Sequence, residues 1–296
     1  LIITATDSSS ITLAQPVFSV AAKPTGSVEA YIGVEGALTV SGSEVSDYLD
    51  VPHDVSSAGY TFTGLDTYRT YTIVVVAQNE LGYWVQSITQ STAAIAPVMN
   101  DLVITSIDKD SITLAMPTFT VSGNPLPSVN AWIGIESTIT VTGTPAAGYT
   151  ISNFSDGPID ASAGDVFFPG LAAGTKYTIY VVAKNESCSV IKSITASTSA
   201  IVPVLNPLTI SAYDDVSISM NMPTFSTAGN PLPSVSAWIG AKGTIQLSGS
   251  SVSGAVEGPV DVAAQGYQFR NLSAGTTYTI IVVAKNSGGY GTATVD

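Results

Sequence analysis

The chain has 296 residues, a formal net charge of −13 and nine lysines plus arginines, so it lacks the clustered cations that neutralise nucleic-acid phosphates or anionic membrane surfaces. Hydrophobic residues make up 45% and charged residues 10%, which allows a buried core and, at roughly 100–200 residues per domain, two or three domains. The single cysteine, Cys188, excludes an intrachain disulfide, and no run of roughly 18 apolar residues offers a membrane span.

In chain order, the first element is "SITLAQPVF" (10–18), which returns as "SITLAMPTF" (111–119) and "SISMNMPTF" (217–225). Next comes "SVEAYIG" (27–33), repeated as "SVNAWIG" (128–134) and "SVSAWIG" (234–240). An acid-x-Pro-x-Asp pattern follows: Asp50-Val-Pro-His-Asp54, Asp156-Gly-Pro-Ile-Asp160 and Glu257-Gly-Pro-Val-Asp261. The last is "YTIVVVAQN" (71–79), repeated as "YTIYVVAKN" (177–185) and "YTIIVVAKN" (278–286). Offsets of 101 or 106 residues mean tandem whole domains rather than a solenoid of short repeats. The expected units are 1–98, 99–204 and 205–296. Their junctions, "STAAIAPVMND" (91–101) and "STSAIVPVLNP" (197–207), are short and poor in Gly and Ser, hence semi-rigid. The third copy stops at "GYGTATVD", short of the tail that closes the other two, and the natural chain is expected to continue.

Within each unit, short Val/Ile/Thr/Tyr runs alternate between turn clusters such as "GNPLPS" (123–128) and "SAGTT" (273–277). This predicts strands and no helices. About seven short strands in about a hundred residues describe a β-sandwich.

Leu171, Thr175, Tyr177, Ala183 and Asn185 recur as Leu272, Thr276, Tyr278, Ala284 and Asn286. The first copy has Leu65, Tyr71, Ala77 and Asn79, with Arg69 at the Thr position. This spacing resembles the fibronectin type III domain at the turn into its strand F, where a buried tyrosine bonds back to nearby backbone. The resemblance covers nearly the whole chain and implies a tandem of seven-stranded sandwiches of an extracellular or surface protein. It implies little about activity. The units depart from the family in three ways. Gln15, Met116 and Met222 stand where a strand-B tryptophan is common, the middle of each unit is longer, and no Arg-Gly-Asp tripeptide occurs.

Several residue groups are candidates for function. The acid pairs Asp50/Asp54, Asp156/Asp160 and Glu257/Asp261 could supply oxygen ligands to calcium; the plainer reading is a proline turn with solvated acids. His53, the only histidine, has no second imidazole and is expected in a turn, so neither a histidine metal site nor a Ser-His-Asp triad is supported. Cys188 is a loop thiol, able to crosslink chains or merely incidental. Asn153, Asn185 and Asn271 head Asn-x-Ser sequons compatible with glycosylation. No catalytic constellation or nucleotide-binding fingerprint is present, so no enzyme is expected.

The sharpest clue lies in strand F. If Ile73, Val75 and Ala77 point inward, Val74 and Val76 point outward. The same logic turns Tyr180 and Val182, and then Ile281 and Val283, to the outside. Tyr31, Trp132 and Trp238 join that stripe if Ile32, Ile133 and Ile239 take the inner slots. An apolar patch so formed must be shielded. The long middle insertion, a neighbouring repeat, a second copy of the molecule or a foreign ligand could each do it. The leading expectation is self-association through these residues into a surface filament, sheath or layer. Adhesion, carbohydrate or protein binding, or a spacer role in a larger exported enzyme or phage structural protein, are the alternatives.

Overall fold

The computed structural model describes residues 1–19 and 26–296. All of its regular elements are strands. In the first unit these are β1 (Ile3–Thr6), β2 (Ile11–Leu13), β3 (Ser27–Val34), β4 (Thr39–Ser41), β5 (Glu44–Ser46), β6 (His53–Asp54), β7 (Tyr60–Phe62), β8 (Thr70–Asn79) and β9 (Gly82–Ser91). One sheet runs β1-β2-β7 and the other β6-β3-β8-β9, while β4 and β5 form a separate hairpin. The second and third units repeat this plan of a three-stranded sheet, a four-stranded sheet and a hairpin. The hairpins there are Thr140–Thr144 with Gly148–Ser152, and Gln246–Ser248 with Ser251–Ser253.

The alternating apolar residues of the two sheets meet in one core per unit. Ile11, Leu13, Ile32, Phe62, Tyr71, Ile73 and Val75 fill the first, and Ile112, Leu114, Ile133, Phe168, Tyr177, Ile179 and Val181 fill the second. In the third, Met220, Ile239, Phe269, Ile280 and Val282 do the same. Gln15, Met116 and Met222 lie just beyond the second strand and are exposed, so they do not stand in for a core tryptophan; Leu13, Leu114 and Met220 hold the buried end of that strand.

The turn into the long strand of the four-stranded sheet that begins near Tyr71, Tyr177 or Tyr278 is the same in each copy. The buried tyrosine hydroxyl accepts a backbone N–H five residues upstream: from Asp66 to Tyr71 at 2.7 Å, from Ala172 to Tyr177 at 2.9 Å and from Ser273 to Tyr278 at 2.9 Å. A buried hydroxyl and an orphan amide are thereby satisfied together. Thr92 and Thr198, both buried, seal the turn from the other side. Their hydroxyls donate to Asp66 O and Ala172 O (2.7 and 2.6 Å) and accept from Arg69 N and Thr175 N (both 3.0 Å).

At the junctions the chain changes partner abruptly. Ala93 N donates backward to Asp7 O at 2.8 Å, and Ile95 N donates forward to Asn124 O at 2.8 Å. Ser199 N to Asp108 O (2.9 Å) and Ile201 N to Asn230 O (2.8 Å) repeat the arrangement. Val98–Met99 then pairs with Phe119–Val121, and Val204–Leu205 with Phe225–Thr227. The residues just ahead of the boundaries expected at 98 and 204 are therefore hydrogen-bonded to the unit that follows them.

Candidate functional site

The outer face of each four-stranded sheet is the site the sequence singled out, and the structure assigns it a covering. The alternation of β3 puts Ile32 inside at 0% exposure, with Tyr31 and Gly33 outside. The outer residues Tyr31, Val74 and Val76 form a cluster of their own with Leu38, Val45 and Val85. The equivalents are Trp132, Tyr180, Val182 and Ile191 with Ile139, Val141, Tyr149 and Ile151, and Trp238, Ile281 and Val283 with Ile245, Leu247 and Val252. Leu38, Val45, Ile139, Val141, Ile151, Ile245, Leu247 and Val252 all belong to the inserted hairpins or their leading turns.

The expected orientation of the aromatics is found, and the expected free surface is not. Val74, Val76, Val182, Ile281, Val283 and Tyr31 are buried, and Tyr180, Trp132 and Trp238 are half-buried. This corrects the reading of these nine residues as a bare partner face, because each unit's own middle insertion packs on them, burying six and half-covering Tyr180, Trp132 and Trp238.

The glycine of the "YIG/WIG" motif explains how the covering seats. A Cβ on Gly33, Gly134 or Gly240 would lie 2.6, 2.8 and 2.7 Å from Leu38, Ile139 and Ile245 respectively. The bare backbone of the third strand is the bed for one aliphatic side chain per unit. Hairpin length is matched to the strand beside it. A Cβ on Gly42 or Gly249, in the short hairpins, would lie 3.5 Å from the hydroxyl of Tyr83 or Tyr290. The longer hairpin of the second unit reaches Ser189, whose N–H donates to Pro145 O at 2.8 Å.

The hydroxyl of Tyr31 donates to Glu29 Oε2 at 2.7 Å. Burial first, then this bond and the charge of Glu29, push its pKa up to about 12.

The second and third acid-x-Pro-x-Asp segments are edge strands, not turns: Asp156–Asp160 and Glu257–Asp261 pair with the third strand of their sheets, while in the first unit only His53–Asp54 does so. Two acids four residues apart on such a strand are separated by about 13 Å, so the pair cannot close on one ion by itself. Gly157 and Gly258 sit at φ of 121° and 116°, and a Cβ there would meet Trp132 and Trp238 backbone at 2.9 and 2.8 Å. The carboxylates are engaged locally. Asp54, Asp160 and Asp261 accept the N–H two residues on (2.8, 2.9 and 2.9 Å). Asp156 accepts Gly157 N, and Glu257 accepts the Tyr267 hydroxyl at 2.7 Å. Among the described residues no three His, Cys, Asp or Glu side chains gather as a metal site would require.

His53 is a strand residue rather than a turn residue. Its ring stacks on Tyr60 with centroids 3.6 Å apart, and its Nε2 lies 2.9 Å from Asp50 Oδ2. That contact, together with the Val51 N–H, holds the Asp50 carboxyl below the usual range. Ile159 and Val260, at the same position in the other units, pack on the core, which gives His53 a packing role.

Of the sequon asparagines, Asn153 and Asn271 are exposed at φ of 56° and 57°. Asn185 is not free. Its Nδ2 donates to Ile95 O (2.8 Å) and Pro125 O (2.9 Å), and its Oδ1 accepts from Ser187 N (3.0 Å) and Cys188 N (3.3 Å). A glycan on Nδ2 would displace this network. Asn286 does the same with Ile201 O, Pro231 O and Gly288 N (2.7, 2.8 and 2.9 Å). One amide thus ties the inter-unit segment to a loop and a turn of the next unit, a role the motif spacing alone does not disclose. Cys188 is a half-buried free thiol in that turn.

No protein-family model matches the chain. No curated protein matches it. Among solved structures it is similar to the FN1–FN3 domains of chicken contactin CNTN1, at 14% identity and a TM-score of 0.28, covering 99% of this chain and 96% of that one. It is also similar to a two-domain fibronectin type III segment of chicken tenascin, at 16% identity and a TM-score of 0.35, covering 67% and 97%. By their own strand order and tyrosine corner, the units are tandem fibronectin type III-like β-sandwiches. No helix among the described residues is long and apolar enough to cross a membrane.

Proposed function

We propose that the chain is a non-catalytic structural segment of an exported or cell-surface protein, in which stiff tandem sandwiches act as a spacer that fixes the separation of whatever they join. The junction geometry carries this reading. One residue, Ala94 or Ala200, separates the last hydrogen bond to the unit behind from the first to the unit ahead. The turn of the second unit also packs on the third: a Cβ on Gly174 would meet Pro231 Cδ at 2.4 Å. Such a linker has almost no free dihedrals with which to bend. The acidic surface and low charge content fit an exported chain.

Sandwich repeats of this kind serve as adhesion or spacer modules. The filament expected from the sequence rested on the outer apolar stripe. With that stripe covered, its motive is gone, and the spacer reading stands ahead of it. Spin labels on the first and third units test the proposal. A narrow distance distribution, broadened by inserting Gly-Gly-Ser after Ala94 and Ala200, supports a rod. A distribution already as broad without the insertions overturns it. Sedimentation at high concentration reports in parallel whether the molecule stays monomeric.

A further inference from the structure

The acid-x-Pro-x-Asp pattern returns in all three units, and the spacer reading does not account for it. Its place in the fold does. Asp156–Asp160 and Glu257–Asp261 each stand at one end of a four-stranded sheet, paired on one side only, and His53–Asp54 stands at the same end in the first unit. The other end of the sheet is engaged in the second and third units. Lys192 Nζ, on the last strand, donates to Asp101 Oδ1 in the leading segment, and a Cβ on Gly291 would fall 2.3 Å from Pro203 O. An edge strand with unpaired backbone groups is a template for pairing with another chain. With charged residues at only 10% of the sequence, the general surface offers little repulsion against it.

Hydrogen bonds fix which residues of this edge face outward. Val55 N donates to Val28 O at 2.9 Å, Ala161 N to Val129 O at 2.9 Å and Val262 N to Val235 O at 3.0 Å, so these amides point into the sheet. Two residues earlier, His53, Ile159 and Val260 face Ala30, Ala131 and Ala237 on the neighbouring strand. Backbone groups alternate in direction along an antiparallel strand. The outward positions are therefore Pro52 and Asp54, Pro158 and Asp160, and Pro259 and Asp261. Proline has no N–H to offer an incoming strand. Each aspartate sets an exposed carboxylate beside the outward amide that remains, held there by the N–H two residues on. The bonds from Ser56 and Ser162 hold the Asp54 and Asp160 carboxyls below the usual range, so both stay ionised in mildly acidic solution. In the second and third units the register also slips between Asp156 and Ile159 and between Glu257 and Val260, a bulge that bends the edge away from a straight partner.

We propose that the acid-x-Pro-x-Asp segment is an edge guard, which stops the open end of each four-stranded sheet from adding the same edge of a second copy of this chain. Two copies meeting edge to edge about a two-fold axis would bring together two strands that each lack a donor at the proline and carry like charge at the aspartate. Calcium binding is then not needed to explain why the two residue types travel together: both occupy outward positions of one exposed strand. The inference rests on the direction of hydrogen bonds at the edge and not on the spacer reading.

The test removes the guard from the full chain. Pro158→Thr, Asp160→Thr, Pro259→Thr and Asp261→Thr are combined in one variant; Asp160→Thr with Asp261→Thr, which leaves the prolines in place, serves instead if the first does not fold. Glu44→Thr with Asp215→Thr removes the same number of aspartate and glutamate charges as the second variant, from exposed positions away from this edge. Urea unfolding read by tryptophan emission shows that each variant is folded, sedimentation velocity at rising concentration gives the association constant, and amide exchange locates the contact. The guard-free variant is expected to self-associate at least about tenfold more tightly than the native chain, with exchange at positions 160 and 261 slowed by about tenfold or more on association. The Glu44/Asp215 variant is expected to behave as the native chain does. A folded guard-free variant that associates no more tightly than the native chain overturns the proposal. So does an equal gain in the Glu44/Asp215 variant, or association that leaves exchange at 160 and 261 unchanged.

Discussion

Replacing Ile139 by alanine probes whether the inserted hairpin is a structural lid. Ile139 is 7% exposed and seats on the bare backbone of Gly134, with Trp132, Tyr180, Val182 and Ile151 in the same cluster. The substitution removes three carbons from a nearly closed site. At about 0.8 kcal/mol per buried methylene this is worth roughly 2.4 kcal/mol, and incomplete collapse of the cavity raises the usual range to about 2–5 kcal/mol. The cluster is one layer thick and close to water, so the lower end, about 2–3 kcal/mol, is expected.

Urea unfolding of the full chain in a Trp84→Phe/Trp238→Phe background leaves Trp132 as the sole emitter and reports the second unit alone. The transition should move to lower urea with Trp132 emission shifted to the red, while Thr140→Ala, on the exposed side of the same hairpin, should leave it in place. A loss below about 0.5 kcal/mol, no larger than an ordinary surface substitution, would refute the covering. The stripe would then need a partner after all.

Three further outcomes follow from the same geometry. Tyr177→Phe removes the acceptor of the part-buried Ala172 N–H and should cost about 0.5–1.5 kcal/mol in the second unit by the same urea assay. Asn286→Ala removes two donors to Ile201 O and Pro231 O and should destabilise the third unit by a similar amount. It should also broaden the spin-label distances across the second junction, whereas Asn271→Ala should leave those distances unchanged. The third outcome concerns alkaline pH. The raised pKa of Tyr31 means that the folded first unit holds a proton that the unfolded chain releases near pH 10. Its stabilising contribution is full below pH 10 and is lost as the pH climbs toward 12. Thermal midpoints between pH 9 and 11.5 should fall more steeply in the native chain than in Tyr31→Phe.

Much of this was legible in the residues themselves. The sandwich follows from alternation and turn clusters, and the tyrosine corner from the Leu, Thr and Tyr spacing around Tyr177. The outward turn of Tyr31, Trp132 and Trp238 follows from giving Ile32, Ile133 and Ile239 the inner slots. Other features were not legible. Asp156 and Asp160 read as a turn with two acids, yet the glycine between them serves the close approach of Trp132 on the neighbouring strand. Asn185 read as a glycosylation acceptor because its role depends on carbonyls 60 and 90 residues away in the chain. His53 read as a turn residue because nothing local shows that Tyr60 will stack against it.

The sequence alone determined that three copies of one all-β unit stand in tandem and that both faces of one sheet in each are apolar, because alternation with a period of two is a local property written into consecutive side chains. Tertiary structure alone decided what covers the second face and which unit owns the segments around Val98 and Val204. Those choices depend on contacts between stretches distant in the chain, where the fit of Ile139 onto Gly134 or of Met99 beside Phe119 selects one pairing among several that the local pattern permits equally.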